Sequence, residues 1–385
     1  MEWIANTAFG LEGQTNRDLK RLGIEKTAPQ PSGGVLFEAT PAQAFSANLW
    51  LRCADRVMLV AGRFEARSFD SLFEQVKALP WEDYLPRDAA FPVRAHCARS
   101  TLMSPSDCQS IVKKAIVERL KRAYRVEWFE ETGATFAVDV SIHADMVSVC
   151  LDASGPALNR RGYRTWNGEA PLRETLAAAL VLASPWRPAR PLCDPCCGTG
   201  TLLVEAAFIA LNRAPGLTRA FDCEKWPFMP QGDMRRLREE AREAYESAKE
   251  RPVHISGSDI DGEALELARR HVAQAGLSGR VSLEKRDLRD LARTDGPGVF
   301  LCNPPYGERL GDRKAAAAVE RQLYLLKQRC PGWSLCAISA DMSFERNAGL
   351  RADKKRRYYN GRLECEFLTW LGDGAQRRGE TTRHE

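Results

Sequence analysis

A chain of 385 residues is longer than one ordinary domain, so two or three domains are expected. Its composition, with 44% hydrophobic and 28% charged residues, is typical of a globular protein and excludes a fibrous or largely disordered one. No apolar stretch reaches the ~18 to 20 residues of a membrane span, and the start MEWIANTAFG lacks a signal-peptide pattern, so we expect a cytoplasmic protein.

Residues 1–62 alternate strand-like and helical stretches in the order β-α-β-α-β, which predicts a small ferredoxin-like unit. The strands are predicted in WIANTAF, GGVLFEAT and RVMLVAGRF, and the helices in GLEGQTNRDLKRLGI and PAQAFSANLWLRCA. The stretch 63–155 continues with a helix in SFDSLFEQVKALPWEDYL, a strand in FPVRAHCA and a long helix in SPSDCQSIVKKAIVERLKRAY, for which Ser106 is the expected N-cap. Two further strands, TFAVDVSIHA and MVSVCLDASG, close this second unit.

Residues 156–185 contain a Gly-, Pro- and Arg-rich linker followed by the helix LRETLAAALVLAS, which Pro171 is expected to open. From residue 186 to 372 apolar strands alternate with Gly turns and helices, which predicts a mostly parallel sheet covered by helices on both faces. Asn360-Gly361 between two β-rich runs predicts a type I′ hairpin, so the sheet should finish with an antiparallel pair. Residues 373–385 are expected to be a disordered tail.

Charge is distributed unevenly, although the net charge is only +5. Six basic residues and one acid occur in 113–125, six and one again in 351–362, and a third basic tract begins at Asn159. Basic tracts that alternate with Tyr and Trp suit a nucleic-acid backbone with exposed bases, whereas the alternative is a set of solvated helix faces. The candidate RNA-binding residues are Lys113, Lys114, Lys121, Arg122, Arg160, Arg161 and Arg164.

The twelve cysteines are scattered through apolar runs rather than spaced as a disulfide framework, so we interpret them as reduced core residues. Cys193 and Cys196 form a CxxC pair, but no second Cys or His pair follows at the spacing of a zinc site. No bound metal is therefore expected.

The loop DPCCGTGT, residues 194–201, follows a buried strand and precedes a helix. Gly198 and Gly200 allow a tight turn that brings the backbone and the free N–H groups of the helix close to a nucleotide-like ligand. The loop lacks the third glycine of the dinucleotide fingerprint and has no Gly-Lys-Ser/Thr, so NAD and ATP are poorly supported.

Acidic side chains follow the next two predicted strands. Asp259 ends the strand HISGSD and is placed to accept hydrogen bonds from two ribose hydroxyls, while Asp261 more simply caps the next helix. Asp287 follows the third strand and could accept from an adenine amino group, or could cap the short helix after it.

The stretch CNPPYG follows the apolar run GVFL and has the groups needed to act on an exocyclic amino group of a base. The lone pair of such a nitrogen is delocalised into the ring, and hydrogen bonds to the Asn303 side-chain oxygen and the Pro304 carbonyl would favour a pyramidal nitrogen that can attack a methyl donor. Pro305 adds stiffness and Tyr306 offers a stacking surface for an extruded base. The alternative is that the stretch is only a proline turn.

These four loops, in this order, resemble those of class I S-adenosylmethionine-dependent methyltransferases, and NPPY resembles the motif of the branch that methylates amino groups. Together with ANTAFGLEGQTNRDLKRLGI, RRGYR, FDCEKWPF and YYNGRLECEF, they make nearly the whole chain similar to the THUMP-domain rRNA guanine-N2 methyltransferases. The resemblance implies a ferredoxin-like unit at 1–62, an RNA-binding THUMP domain at 63–155 and a seven-stranded Rossmann-like methyltransferase domain at 186–372. The family's glycine loop usually has Phe or Ser where this chain has Cys196, Cys197 and Thr199, a difference we expect to be tolerated.

The resemblance also implies the site and the reaction. S-adenosylmethionine would be the cofactor and large-subunit (23S) rRNA the partner, with methyl transfer to the N2 amino group of a guanosine. Asn303, Pro304, Pro305 and Tyr306 would hold the target. The implied cofactor-binding residues are Asp194, Cys197, Gly198, Gly200, Asp259, Ile260, Asp287 and Leu288.

Other readings stay open at this level. Loops of the NPPY type also serve tRNA guanosine, DNA adenine and protein glutamine, and a catalytically idle RNA-binding or ribosome-assembly factor is the non-enzyme alternative. Trp226 and Phe228 could line the base pocket or anchor an insertion, and Glu174 and Thr175 could approach the cofactor. His271 is interpreted as a partly buried surface residue rather than a catalyst.

Overall fold

The computed structural model of the protein describes residues 1–30, 33–164, 172–292, 296–306 and 312–373. The chain forms two units, of which the first comprises Met1–Thr7, Thr15–Leu158 and Thr218–Glu240. The second comprises Ala8–Gln14, Asn159–Leu217 and the chain from Ala241 onward. Pro171 and the tail from residue 374 lie outside the described residues, so the expectations for them stay predictions.

The first unit is built on a seven-stranded sheet. Its strands are β1 Glu2–Thr7, β2 Thr27–Pro29, β3 Val35–Glu38, β4 Ala54–Glu65, β5 Val93–Ala98, β6 Val138–His143 and β7 Met146–Asp152. The helices of this part of the chain are α1 Glu12–Arg21, α2 Pro41–Trp50, α3 Phe69–Ala78 and α4 Pro105–Tyr124. The strand order is β2-β3-β1-β4-β7-β6-β5. The β-α-β-α-β order predicted for the N-terminal stretch is confirmed, with β2 as an additional short strand.

Strand β4 joins the two predicted N-terminal units into one sheet. It pairs antiparallel with β1 on one side and with β7 on the other, from Met58 opposite Asp152 to Glu65 opposite Met146. The boundary predicted at residues 62 and 63 therefore falls inside this strand, and the limits of the individual domains stay predictions.

Local capping determines where the helices of this unit begin. Thr40 and Gln43 form a capping box at the start of α2, in which each side chain accepts from the other residue's backbone N–H at 3.2 and 3.0 Å. Helix α4 is capped by Ser104, not by Ser106 as predicted. Because Pro105 lacks an N–H and suits the first helical position, the residue before it takes the cap.

Trp226 anchors the segment Thr218–Glu240 within the first unit. Its ring is fully buried and stacks on Phe136 with centroids 5.1 Å apart, and its indole N–H donates to the Thr135 carbonyl at 3.0 Å. Phe228 packs against Trp226 and Tyr84. Of the two readings of Trp226, the contacts support the anchor.

The second unit contains the other seven-stranded sheet. Its strands are β8 Leu192–Asp194, β9 Ile255–Asp259, β10 Val281–Lys285, β11 Gly298–Cys302, β12 Trp333–Ser339, β13 Lys354–Asn360 and β14 Leu363–Trp370. The remaining α-helices of the described residues are α5 Glu174–Ala183, α6 Thr201–Ala210, α7 Gln231–Glu246, α8 Gly262–Gln274, α9 Asp312–Arg329 and α10 Phe344–Ala348. The strand order is β10-β9-β8-β11-β12-β14-β13, parallel except for β14, which runs antiparallel to β12 and β13.

The order of the parallel strands reverses at β8, whose neighbours are β9 and β11. The carboxyl ends of these strands flank a crevice in which α/β sheets of this type bind ligands. The core beneath is tight: the rings of Phe300 and Trp333 stack at 4.5 Å, and a Cβ on Gly298 would lie 2.4 Å from the Trp333 ring. Only glycine therefore fits at the start of β11.

The predicted final hairpin is confirmed, but its turn type is different. Asn360 pairs with Leu363, so the two central residues are Gly361 and Arg362 rather than Asn360 and Gly361. Of these two only Gly361 has a positive φ, at +66°. A type I′ turn needs positive φ at both positions, whereas type II′ needs it only at the first, where glycine stands here.

Candidate functional site

The glycine loop after β8 is held in place by its own backbone and by β9. The Cys196 N–H donates to Asp194 Oδ1 at 3.1 Å, the Cys197 N–H to the Ser258 carbonyl at 3.0 Å and the Gly200 N–H to the Cys197 carbonyl at 2.8 Å. Gly198 has a φ of +50°, and the space beside its Cα is open, which allows a ligand to approach the backbone.

Gly200 has a different function from Gly198. Its φ is +81°, and an added Cβ would lie 3.2 Å from the Cβ of Ala268 in α8. It precedes α6 and permits close packing of the loop on α8. Asp194 and Cys197 are buried below the loop and shape it from inside. Burial raises the pKa of the Asp194 carboxyl well above its ordinary value.

Asp259 links the second strand to the glycine loop. Its Oδ2 accepts from the Gly198 N–H at 2.8 Å, and its Oδ1 accepts from the Asp261 N–H at 3.0 Å. Asp261 in turn caps α8, accepting from the N–H groups of Glu263 and Ala264 at 2.9 and 3.3 Å, as predicted. A carboxylate oxygen has more than one lone pair, so Asp259 can still accept from ribose hydroxyls.

Asp287 lies at the end of the third strand and caps the short 3₁₀ turn that follows it. Its Oδ1 accepts from the Arg289 N–H at 2.8 Å, and the Arg289 guanidinium donates to both carboxylate oxygens. These hydrogen bonds from Arg289 lower the pKa of Asp287 to about 2. Asp287 is therefore an ionised acceptor at neutral pH, whose proposed contact with adenine stays a prediction.

The loop from Asn303 to Tyr306 follows β11 directly. The Tyr306 hydroxyl donates a short hydrogen bond to the Asn303 side-chain oxygen, which orients both side chains. Pro304 is buried and Pro305 is exposed. Because an amide oxygen has two lone pairs, Asn303 can accept a second hydrogen bond while it holds Tyr306.

These loops surround a cavity of about 590 Å³, within the ~300 to 1,000 Å³ typical of small-molecule sites. Among the predicted residues the structure brings together Gly198, Asp259, Ile260, Asp287, Leu288, Asn303 and Pro305 at this cavity. It does not place Asp194, Cys197, Gly200, Pro304 or Tyr306 in the lining.

The chemistry of the lining fits a nucleoside that carries an amino-acid tail. Ile260 is 66% exposed, an unusual state for an isoleucine, and it offers an apolar surface beside the two acids Asp259 and Asp287. The open backbone at Gly198 lies next to Asp259, with which its N–H is hydrogen-bonded. S-adenosylmethionine has the matching groups: an adenine, a ribose diol and an amino-acid end.

Sequence reasoning missed several residues that complete the cavity. Pro195 and Cys196 come from the glycine loop itself, Arg289 follows Asp287, and α8 and α9 add Ala264, Ala318, Val319 and Gln322. The loop residues could have been identified from their position next to Gly198 and Asp287. The residues of α9 gave no signal, because an alanine-rich helix surface looks the same whether it covers a ligand or a core.

The predicted RNA-binding residues fall into two groups. Lys113, Lys114, Lys121 and Arg122 lie on α4 in the first unit, where Lys114 and Arg122 are exposed. Lys113 is engaged within the unit, with its ammonium 2.6 Å from Glu131 and 3.5 Å from the Phe91 ring centroid. Lys121 lies 3.7 Å from Glu127, a contact at the surface.

The second group corrects a prediction. Arg160 is exposed, but the Arg161 side chain is only 1% exposed and lies 3.5 Å from the fully buried Glu205 of α6. Arg164 is 15% exposed, donates to the Leu172 carbonyl at 3.1 Å and lies 3.5 Å from Glu174. Arg161 is an interior residue and cannot contact RNA phosphates in this fold, because its guanidinium is enclosed by protein.

Three further residues are now placed. Glu174 and Thr175 are buried at the start of α5 and are not in the cavity lining. His271 is fully buried, not at the surface as predicted, and its Nδ1 lies 3.0 Å from the Thr199 carbonyl. It supports the glycine loop from α8.

All twelve cysteines are free thiols. Within the described ranges, no cluster of three or more His, Cys, Asp or Glu side chains has an arrangement that could bind a metal ion. Among the helices of those same ranges, none combines the length and apolarity needed to cross a membrane.

Replacing Asp259 with alanine is expected to weaken binding of S-adenosylhomocysteine by roughly 10- to 100-fold, because hydrogen bonds to a charged group contribute about 1.5–3 kcal/mol. The change removes the carboxylate that is predicted to accept from the ribose, and it removes the hydrogen bond to Gly198. Isothermal titration calorimetry measures the effect, with Glu263→Ala as the control, since Glu263 is an exposed neighbouring acid outside the cavity lining. Equal affinity in the Asp259 variant and the wild type would contradict this role.

The sheet order and the ligand crevice define the second unit as a class I methyltransferase domain, here preceded by a sheet-containing N-terminal unit. The chain belongs to the family of methyltransferases with an RMKL-like methyltransferase domain, which matches residues 161–369. Residues 2–58 match the RlmL ferredoxin-like domain, and residues 66–152 match the THUMP domain.

Relatives cover almost the whole chain. The Bacillus subtilis protein named "Putative RNA methyltransferase YpsC" is 37% identical over 380 residues, 98% of each chain. A Listeria monocytogenes structure described as a "predicted N6-adenine-specific DNA methylase" is 43% identical, with a TM-score of 0.90 over 96% of each chain. The structure of SMU.472, described as "a putative methyltransferase complexed with SAH", is 38% identical, with a TM-score of 0.91 over 96% of this chain and 98% of its own.

Proposed function

We propose that the protein transfers a methyl group from S-adenosylmethionine to the exocyclic N2 amino group of a guanosine in large-subunit (23S) ribosomal RNA. The observation that carries the proposal is the Asn303–Tyr306 loop. It starts at the carboxyl end of β11, places Asn303 and Pro305 in the lining of the cavity, and orients the Asn303 oxygen through Tyr306.

The loop supplies two acceptors and few competing donors. The Asn303 side-chain oxygen and the Pro304 carbonyl accept the two hydrogens of the amino group, which favours a pyramidal nitrogen with an available lone pair. Neither proline has a backbone N–H that could compete for these acceptors. The nitrogen would displace the sulfur at the methyl carbon, with S-adenosylhomocysteine as the leaving group. The proton would then pass from the methylated nitrogen to water, so no general base is needed in the transfer step.

S-adenosylmethionine is the cofactor, and when bound it supplies an electrophilic methyl group on a sulfonium. This chain's residues would orient it in three ways. Asp259 accepts from the ribose diol, Ile260 and Leu288 cover the adenine with Asp287 at its edge, and the Gly198 backbone accommodates the amino-acid end. SMU.472, with a similar chain over nearly its full length, was solved with the demethylated product SAH.

RNA as the substrate is supported by the first unit and by the relatives. The THUMP match at 66–152 includes α4, whose exposed face has Lys114 and Arg122, and the similar Bacillus subtilis protein is named as an RNA methyltransferase. Basic side chains on one helix suit a phosphate backbone. The choice of large-subunit rRNA rests on the resemblance of the whole chain to the THUMP-domain rRNA guanine-N2 methyltransferases.

Neutralising Lys114, Lys121 and Arg122 together is expected to weaken RNA binding and to flatten its salt dependence. Each lost phosphate contact should reduce the slope of log K against log salt by about 0.7–0.9. Filter binding or fluorescence anisotropy at several salt concentrations measures the slope. The charge-matched control replaces Arg21, Lys26 and Arg67, whose side chains are 69, 75 and 71% exposed. The same slope in both triple variants would show that α4 does not contact the backbone.

The test of the proposed function is incubation with labelled S-adenosylmethionine and separate pools of ribosomal RNA, tRNA and DNA, followed by nucleoside digestion and mass spectrometry. We expect N2-methylguanosine from ribosomal RNA. N2-methylguanosine from tRNA would support the proposed chemistry but identify tRNA as the substrate. N6-methyladenine from DNA would instead favour the activity in the description of the Listeria monocytogenes structure. If neither free nor precursor ribosomal RNA yields a methylated product, the hypothesis that remains is an RNA-binding ribosome-assembly factor without catalytic activity.

A further inference from the structure

A second cavity of about 830 Å³ lies at the carboxyl ends of β11 and β12, in the same unit as the first. Tyr306 lines it together with Asp341, Met342 and Asn347 from the segment after β12. The exposed cations Lys314 and Arg346 also belong to the lining. A cavity with an aromatic ring, oriented polar groups and exposed cations matches a nucleotide, with a base to stack and a phosphate to neutralise.

The Asn303–Tyr306 loop connects the two cavities. Asn303 and Pro305 line the first cavity, Tyr306 lines the second, and the hydrogen bond between Tyr306 and Asn303 joins them. A methyl donor in the first cavity and a base in the second would therefore lie on either side of the Asn303–Tyr306 loop. The polar groups that line the second cavity together with this loop, among them Asp341, are those that can form hydrogen bonds with the other edge atoms of the base.

Asp341 is held rigidly at this position. Its Oδ1 accepts from the Ser343 N–H at 2.8 Å and from the Ser343 hydroxyl at 2.6 Å, while its own N–H donates to Ser339 Oγ at 3.0 Å. The hydrogen bonds that the described part of the chain makes to this carboxylate all end on Oδ1. The second oxygen is thus available to a ligand in the cavity.

A buried network supports this arrangement. The Asn347 amide donates to Glu320 Oε2 at 2.7 Å and to Ser343 Oγ at 3.2 Å, and Ser339 donates to Glu320 Oε1 at 3.3 Å. Glu320 is fully buried in α9. The network connects α9, the end of β12 and α10 and holds Ser343 in place, so the Asp341 carboxylate cannot turn away from the cavity without breaking both of its hydrogen bonds from Ser343.

We propose that Asp341 determines the specificity for guanine by accepting a hydrogen bond from N1–H of the target base. Guanine has a donor at N1 beside its 2-amino group, whereas N1 of adenine is an acceptor that a carboxylate would repel. A carboxylate can only accept, so it distinguishes the two bases at this atom. A site built around a hydrogen bond rejects an analogue that lacks the donor strongly, because the polar group of the protein is then left unpaired.

The inference rests on the proposed function, since it names the residue that would select guanine for N2-methylation. Its test uses ribosomal RNA ligated around a synthetic segment that contains the target site with either guanosine or 2-aminopurine riboside. The analogue keeps the 2-amino group but has no hydrogen on N1. The wild-type protein is expected to methylate guanosine roughly 10- to 100-fold more efficiently, as judged by kcat/KM.

Asp341→Asn is expected to reduce the preference for guanosine by at least about 10-fold. Its amide oxygen can keep the bonds from Ser343 while its NH₂ donates to the unprotonated N1 of 2-aminopurine. Asp341→Ala should lose the preference without gaining activity on the analogue. Asp373→Asn, an exposed carboxylate of the same unit outside both cavity linings, controls for the change in charge. Binding of S-adenosylhomocysteine by each variant shows that the fold is intact.

The outcomes separate the two proposals. A wild-type protein that methylates guanosine, with the same preference in both Asp341 variants, would overturn the specificity role alone. A wild-type protein that methylates adenine, or that leaves the guanosine segment unmodified, would overturn the proposed function and the inference together.

Discussion

Replacing Asn303 with alanine is expected to lower the rate of methyl transfer by roughly 10²- to 10³-fold, the usual cost of removing an oriented hydrogen-bonding group that acts in the transition state. The variant loses the acceptor proposed to favour a pyramidal amino nitrogen, and it loses the acceptor that orients Tyr306. Single-turnover transfer from labelled S-adenosylmethionine to ribosomal RNA measures the rate.

Cofactor binding separates this effect from a general loss of the site. The residues proposed to bind the cofactor lie on β8–β10 and the loops that follow them. The dissociation constant of S-adenosylhomocysteine should therefore change by no more than about 3-fold, a smaller effect than the roughly 1 kcal/mol of a typical hydrogen bond. Gln328→Ala, which removes an exposed amide from α9, should retain wild-type activity. Full activity of the Asn303 variant would contradict the catalytic role of the loop.

Replacing Arg161 with alanine is expected to destabilise the second unit by about 3–5 kcal/mol, because the change leaves Glu205 buried without its guanidinium. The side chains are 1% and 0% exposed, so water cannot replace the lost partner. Tyr163 also donates to Glu205, at 3.2 Å, but a neutral hydroxyl does not replace the positive charge of the guanidinium. Scanning calorimetry should show a decrease of about 6–20 °C in the unfolding temperature of this unit.

Two further variants test the cause. Arg269→Ala removes a cation of the same unit that is 49% exposed and paired with Glu266, and should change stability by less than about 1 kcal/mol. The double variant Arg161→Met, Glu205→Leu should recover much of the loss, because apolar residues of similar volume can replace a buried ion pair. If the Arg161→Ala protein is as stable as the wild type and binds RNA more weakly, the structural role is contradicted and the original prediction that Arg161 binds RNA is supported.

Arg161 also illustrates why charge patterns do not locate side chains. The tract from Arg160 to Arg164 reads as a basic surface, yet Arg160 is exposed, Arg161 is enclosed and Arg164 is mostly buried against Glu174. Nothing within the tract indicates that Glu205, more than 40 positions later, faces it. Long-range partners of this kind are visible only when helices are packed together.

Trp226 and His271 show the same effect for two buried ring side chains. The ring of Trp226 stacks on Phe136, and His271 faces the Thr199 carbonyl, with partners about 90 and 70 positions away. The sequence around each residue allowed both a functional and a structural role. Packing against a distant segment selected the structural one.

The sequence by itself determined the features that depend on neighbours along the chain: the order of strands and helices, the Gly198 turn, the acids at the strand ends, the Asn303–Tyr306 loop and the final hairpin. Hydrophobic periodicity, capping and turn chemistry act over a few residues, and motif order places each loop at the carboxyl edge of a parallel sheet.

The tertiary structure alone decided which side chains face the cavities. Val319 and Gln322 reach the first cavity from α9, Asp341 lines the second beside Tyr306, and β4 continues the N-terminal sheet into β7. These outcomes depend on how helices and strands that are far apart in sequence pack together. Burial and hydrogen-bond pairing are properties of that packing. Residues with the same local sequence pattern can therefore become core residues, residues that support a loop, or residues that line a cavity.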